Sequence, residues 1–446
     1  MTNTAKHAFL IAAPSSRSGK TTLTLGLMRA LMQRNLSVQA FKCGPDFIDP
    51  MFHKAITGRD AYNLDIQMSD EAHVRSLFHD QKGQADVAVV EGVMGLFDGA
   101  LKDSGSSAHL ARLLSLPVVL VVDASSMAYS AAPLLYGFKH FDPRVKIAGV
   151  IFNKVASVSH YAFLKEAAMA AGLPTLGFVP RNKAVEMPSR HLGLSMPFEN
   201  NLETQVGQLA EMIQEHVDLD QLLALTPSRH HLQLCPSVPL GSEPALPRLK
   251  IAMARDEAFN FIYPANVDAL KAFGTLQFFS PLHDQTLPEA DLIWLPGGYP
   301  ELYAGELSRN RSMAEAIQRH VAQGKALIAE CGGFIYLGRE LLVEGKPYPM
   351  AGVFDHAASL KNARLSLGYR KVNYQGSLWY GHEFHYSQLA WTTHENIAEI
   401  RNARDQTVDT GLYRYKNALA SYIHFYCGQG EKMEELLRIV LPQLSK

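Results

Sequence analysis

The sequence predicts an α/β protein of two sheet-and-helix domains. Three observations point there: short apolar runs alternate with helical patterns from residue 7 to about 225, a proline-rich tract interrupts them, and the alternation resumes behind it. The length of 446 residues matches two or three domains of ordinary size. With 47% hydrophobic, 9% aromatic and 19% charged residues, the chain can bury a large core, which excludes wholesale disorder. Forty-two basic against forty-three acidic residues leave a net charge of −1, so neither nucleic acid nor an anionic membrane is an expected partner and small molecules are.

Taken in order, the first domain, residues 1–225, carries six apolar runs: Ala8–Ala13, Val38–Cys43, Val87–Glu91, Pro117–Asp123, Ile147–Asn153 and Thr175–Val179. Amphipathic stretches such as Thr21–Gln33, Tyr129–Phe138 and His160–Ala171 are long enough to cross back over a sheet, so the runs read as a doubly wound parallel sheet. Residues 226–248 hold five prolines and no period, the mark of an extended linker. Behind it, residues 249–446 open with strand Lys250–Ala254, a helix started by Pro264, and strands Leu276–Phe279, Leu292–Leu295 and Ala326–Ala329. Ala8–Ala13 reads as a buried strand and not a signal segment, and Leu116–Val122 is far too short to span a membrane. Four scattered cysteines, Cys43, Cys235, Cys331 and Cys427, make no disulfide framework and suit a reducing, cytoplasmic setting.

Between the first strand and the first helix stands Ala13-Pro14-Ser15-Ser16-Arg17-Ser18-Gly19-Lys20-Thr21-Thr22, the context a phosphate-binding loop needs. Backbone N–H groups wrap phosphates, Lys20 supplies a point charge, Thr21 offers a hydroxyl to Mg²⁺, and the helix N-terminus adds its dipole. Pro14 replaces the first glycine of the strict pattern, but Gly19-Lys20-Thr21 is intact. Asp46 and Glu91 follow strand ends, where ligands of open α/β sheets bind, and are candidate holders of the metal that bridges ATP phosphates. Asp49 is a lesser candidate, since Asp-Pro also makes an ordinary turn.

In the second domain, Ala326-Leu327-Ile328-Ala329-Glu330-Cys331-Gly332-Gly333 puts a cysteine on a strand-to-helix turn. Such an elbow exposes the sulfur, and the helix N-terminus is expected to favour thiolate. The N–H groups of Gly332 and Gly298 are candidate oxyanion donors. His424, at the end of the run Ala418–Ile423, is the candidate base. Cys43, Cys235 and Cys427 lack such a turn and read as packing or linker residues, and Gly381-His382-Glu383-Phe384-His385 is one residue too short for a zinc-protease helix. An ATP site joined to a cysteine nucleophile suggests one economy of chemistry: phosphoryl transfer turns a carboxylate into an acyl phosphate, and glutamine hydrolysis through a Cys331 thioester supplies the ammonia that attacks it.

The loop, KCGPDFIDP, Val90–Gly99, MPSRHLGL, ARDEAFNF, LPGGYPEL, AECGGFIYLG and GHEFHYS, in this order over nearly the whole chain, resemble the cobyrinate a,c-diamide synthase family. The resemblance implies a dethiobiotin-synthetase-like ATP domain, a class I glutamine amidotransferase domain, and ATP- and Mg²⁺-dependent amidation of two carboxylates of cobyrinate in cobalamin synthesis. It implies Cys331 as nucleophile, His424 as the residue that activates it, Lys20, Thr21, Asp46 and Glu91 at ATP and Mg²⁺, and Asn153 at adenine. Two departures stand out: Tyr426 occupies the position where many class I amidotransferases have Glu, so a dyad, a water or a backbone partner would orient His424, and Tyr380 precedes GHEFHYS where Arg is frequent. Arg190 and Arg370 are candidates for pairing with the peripheral carboxylates of the corrinoid. Rival readings are the same chemistry on hydrogenobyrinate or nickel-sirohydrochlorin, or a P-loop switch ATPase with a regulatory domain. A homodimer is compatible with all of them.

Overall fold

The structure is a computed structural model that describes residues 6–182, 185, 189–190, 193–194, 202–228, 248–361 and 364–442. The chain divides into two compact units, Met1–Ser237 and Val238–Lys446. The greater part of the proline-rich tract, with Cys235, lies outside the described residues. Among the described residues no helix is long and apolar enough to cross a membrane.

In the first unit, strands β1 (His7–Ala12), β2 (Val38–Cys43), β3 (Tyr62–Leu64), β4 (Val87–Glu91), β5 (Val118–Asp123), β6 (Ile147–Val155) and β7 (Thr175–Pro180) form one sheet in the order β3-β2-β4-β1-β5-β6-β7. Every pairing in it is parallel. The connecting helices are α1 (Lys20–Gln33), α2 (Ile48–Thr57), α3 (Glu71–Lys82), α4 (Ser107–Leu114), α5 (Ala131–Phe141) and α6 (Val158–Ala170). A short hairpin, β8 (Ser189–Arg190) with β9 (Gly193–Leu194), and helices α7 (Leu202–His216) and α8 (Leu219–Leu225) follow. Strands covered on both faces need no polar alternation, which is why β5 reads Val-Val-Leu-Val-Val. Asp70, Ser106 and Ser157 cap the N-termini of α3, α4 and α6 with their side chains. The expected strands all form, most of them within a residue or two. The sequence reading passed over β3 and α2, because three residues are too few to show a period and α2 begins inside a motif read as a loop. Its Asp49-Pro50 is no turn: both residues sit in the first helical turn, where a proline lacks no hydrogen bond that a helix would form.

The second unit is built on β10 (Leu249–Ala254), α9 (Pro264–Phe273), β11 (Gly274–Phe279), β12 (Leu292–Leu295), α10 (Ala304–Arg309), α11 (Arg311–Ala322), β13 (Ala326–Glu330) and α12 (Gly332–Tyr336). Then come β14 (Glu340–Val343), β15 (Lys346–Pro349), β16 (His356–Ser359), β17 (Ser366–Tyr374), β18 (Ser377–His385), β19 (Gln388–Thr392), β20 (Glu399–Asn402), β21 (Leu412–Tyr415), β22 (Ala418–Ser421), β23 (His424–Phe425) and α13 (Gly430–Val440). The main sheet has the order β11-β10-β12-β13-β22-β21, parallel except for β21. Alternate residues of its strands feed two cores: Ile293, Leu295, Leu327 and Ala329 face one, and Leu292, Trp294, Ala326 and Ile328 the other. Two smaller four-stranded sheets, β15-β14-β16-β19 and β20-β17-β18-β23, join it. The second of these corrects an expectation: His424 is not at the end of the strand that begins at Ala418. That strand stops at Ser421, and His424 starts a two-residue strand in a different sheet.

Candidate active site

Register brings the first cluster together. Ile11 pairs with Glu91, and Glu91 with Lys42, so the ends of β1, β2 and β4 lie level at the carboxyl edge of the sheet where the loop begins. Gly19 takes a left-handed φ of +87° before α1, a conformation open to glycine, and Asn153 lies where a side chain at Gly19 would go. Asn153 Nδ2 donates to the Ser18 carbonyl at 3.0 Å, so its amide is engaged by the loop itself. Lys20 is buried, its Nζ 2.5 Å from the Met94 carbonyl, and burial followed by the charge of Lys42 pulls its pKa down. Thr21, with Thr22 behind it in the first turn of α1, sends its hydroxyl to Glu91 at 2.6 Å and lies 3.3 Å from Asp49.

Three residues the sequence reading did not single out, Lys42, His53 and Asp98, belong here. Lys42 Nζ is buried between Asp49 at 2.5 Å and Glu91 at 3.1 Å, with Asp46 at 3.7 Å. Burial works against its charge, yet Asp49, Glu91 and Asp46 outweigh that and hold its pKa well above the ordinary value. His53 meets the other Glu91 oxygen at 2.7 Å. Burial opposes ionisation of Glu91, but Lys42 and the His53 hydrogen bond prevail and keep it a carboxylate. One oxygen of Asp46 closes a turn onto the N–H groups of Ile48 and Asp49, and the other faces Lys42. Asp98 accepts from the Gly95 N–H at 3.0 Å and adds its charge to the surroundings of Lys20. The signal for Lys42 and His53 was present, a lysine ending a buried strand and a histidine on an apolar helix face, but only the fold brings them to Glu91.

In the second unit Cys331 is 3% exposed and holds φ +43°, ψ −101°, a strained conformation for a side-chain-bearing residue. Glycines make room around it. Gly298 has φ +156°, and a Cβ there would strike the Ala258 carbonyl. A Cβ at Gly332 would lie 2.9 Å from the Pro300 ring and 3.0 Å from the Gly298 nitrogen, and the imidazole of His424 fills the space over Gly297. Nucleophile turn, both candidate oxyanion donors and candidate base therefore meet around Gly297-Gly298. The expected thiolate is corrected: burial, then the charges of Glu301 and Glu383, push the Cys331 thiol well up, and the Gly332 N–H offsets little of this. Burial and the neighbouring His382 and His385 push His424 well down, so its imidazole is neutral. Its ring stacks on His382 with centroids 5.2 Å apart.

Other expectations fall outside this cluster. Arg370 is buried, and its guanidinium forks onto Glu383, so it presents no free cation for a carboxylate ligand. Glu383 in turn accepts from Thr410 at 2.7 Å, which ties the GHEFH run into an ion-pair network; among the described residues no group of three acidic, histidine or cysteine side chains is placed to hold a metal. Tyr426 packs edge-on against Tyr263. Cys43 is buried with its thiol pushed up to about 12, and Cys427 is buried too. Four of the eight residues of MPSRHLGL, and the side chain of Arg190, lie outside the described residues.

Glu330, next to Cys331, is 3% exposed, and burial pushes its carboxyl up to about 8. Its folded value lies above the ordinary 4.5, so between these pH values the folded chain holds a proton that the unfolded chain has lost. Stability from this group is therefore full at acid pH and falls as pH rises toward 8. Thermal melts of Glu330→Gln against the unaltered chain, from pH 5 to pH 9, should show the variant gaining relative stability as pH rises and levelling off above about pH 8; parallel curves would contradict the raised carboxyl.

Comparison with known proteins follows the same division. The model of the CobQ/CobB/MinD/ParA nucleotide binding domain matches residues 9–194, and that of the CobB/CobQ-like glutamine amidotransferase domain residues 250–432. A cobyrinate a,c-diamide synthase of Listeria monocytogenes is 42% identical over 438 residues, covering 94% of this chain and 96% of that protein. Those of Salmonella typhimurium and Picrophilus torridus are 40% and 38% identical, and in each case 96% of this chain is covered, with 96% and 97% of theirs.

Proposed function

Because the chain belongs to the cobyrinate a,c-diamide synthase family, we propose that it amidates the a- and c-carboxylates of cobyrinate with ATP and glutamine, in the cytoplasm. The observation that carries the reading is the presence in one chain of a phosphate loop backed by carboxylates and of a cysteine elbow beside a neutral histidine.

In the second unit, His424 takes the Cys331 proton as sulfur attacks the amide carbon of glutamine, and the N–H groups of Gly332 and Gly298 receive the charge that develops on oxygen. The histidine then returns the proton to the leaving nitrogen. Ammonia departs, and water hydrolyses the thioester to glutamate.

In the first unit, the loop backbone and Lys20 hold the ATP phosphates. Thr21 and Glu91, whose oxygens lie 2.6 Å apart, with Asp46 at the same edge, would hold Mg²⁺ together with phosphate oxygens and water, the way this ion is commonly bound at nucleotide sites. Bound there, it would neutralise charge on the phosphates. His53 fixes one oxygen of Glu91 and leaves the other facing Thr21 and Lys42. A substrate carboxylate oxygen attacks the γ-phosphorus and ADP leaves; ammonia then attacks the acyl carbon and phosphate leaves, giving the amide.

The test is mass spectrometry of cobyrinate incubated with the protein, ATP, Mg²⁺ and glutamine. The expected product has two hydroxyl-to-amino exchanges, formed with stoichiometric ADP and glutamate. Unchanged cobyrinate beside active glutamine hydrolysis would move the proposal to another tetrapyrrole acid.

A further inference from the structure

Glu330 is an unlikely residue for its surroundings. It ends β13, one position before Cys331, and the alternation of the strand turns it away from the sulfur, to the side of Ala326 and Ile328. That side is an apolar core containing Trp294, Phe425 and Cys427. A carboxyl there is costly unless hydrogen-bonded, and it is: Oε1 accepts from the Phe425 N–H at 3.0 Å, and the Trp294 side chain donates to it as well.

Phe425 is the residue after His424. Three residues before His424, the Ser421 carbonyl accepts from the Cys331 N–H at 2.8 Å. The nucleophile turn thus grips the segment that carries the histidine at two points, one on either side: Cys331 N–H to Ser421, and Glu330 carboxyl to Phe425. The grip is needed because β23 is only two residues long and pairs with β18 alone, at Gly381 and His382. On the far edge, Asn266 donates to the Phe425 carbonyl and accepts from the Cys427 N–H, both at 2.8 Å, which completes a main-chain clamp around the histidine strand.

We propose that Glu330 is a positioning residue for glutamine hydrolysis, holding His424 in register with Cys331 by binding the main chain of the histidine strand. The assignment rests on the glutaminase reading of Cys331 and His424. It needs an acceptor oxygen at this place, not a charge, so glutamine at position 330 should serve and alanine should not.

The experiment measures kcat and KM for glutamine hydrolysis, together with amidation driven by ammonium salt, in the full chain and in Glu330→Ala and Glu330→Gln. Alanine is expected to lower kcat about 10- to 100-fold, the scale of a misplacement near 1 Å, with KM changed less than about threefold. Ammonium-driven amidation should stay at the unaltered rate, and Glu330→Gln should hydrolyse glutamine within about threefold of the unaltered chain. An alanine variant that hydrolyses glutamine normally, or a glutamine variant that fails as badly as alanine, overturns the assignment alone. An unaltered chain that hydrolyses no glutamine overturns the reading beneath it as well.

Discussion

Cys331→Ala is expected to reduce glutamine-driven amidation by at least about 10⁴-fold while amidation driven by ammonium salt continues at its original rate. The asymmetry follows from what the sulfur does. In the proposed mechanism it forms the bond that releases nitrogen from glutamine, and no neighbouring group would replace it, because Glu301 and Glu383 act at the site through charge and His424 would be a base with no thiol to activate. In the same mechanism the acyl phosphate forms in the other unit, and free ammonia would attack it whatever its source. The measurement is product mass with each nitrogen donor in parallel. Equal loss with both donors would mean that Cys331 holds up the fold and is not a nucleophile.

Lys20→Ala should give the complementary result: both nitrogen donors fail, by about 10³-fold, while glutamine hydrolysis persists. Lys20 follows the left-handed Gly19 at the start of α1, and on the proposed reading its charge is the one the loop brings to the β- and γ-phosphates. Its present contacts are carbonyls of Met94 and Ser15, neutral partners that it can leave when phosphate arrives. Removing it leaves the buried Lys42, Asp49 and Glu91 network intact, so the unit should keep its fold and a melting curve serves as the control. Amidation that survives with ammonium salt would place phosphoryl transfer elsewhere.

Both sites were legible where chemistry sits in contiguous residues. The loop from Ala13 to Thr22 and the elbow from Ala329 to Gly333 each declare a strand, a turn and a helix start in one short stretch, and the structure has those elements. What sequence could not supply was the field. Nothing near Cys331 in the chain says that Glu301 and Glu383 face it, so the helix N-terminus suggested a thiolate where burial and those carboxylates make a thiol. Likewise Lys42 and Glu91, forty-nine positions apart, become neighbours through strand register alone. The two small four-stranded sheets went unread for a similar reason: strands such as His356–Ser359 and Glu399–Asn402 are four residues long and acquire their identity from partners elsewhere in the sequence.

The protonated state of Cys331 carries a consequence outside the reaction. Peroxides and alkylating agents attack sulfur as the anion, and a thiol whose ionisation is suppressed reacts with them slowly. The same burial and acidic neighbours should therefore slow the reaction of this sulfur with such reagents.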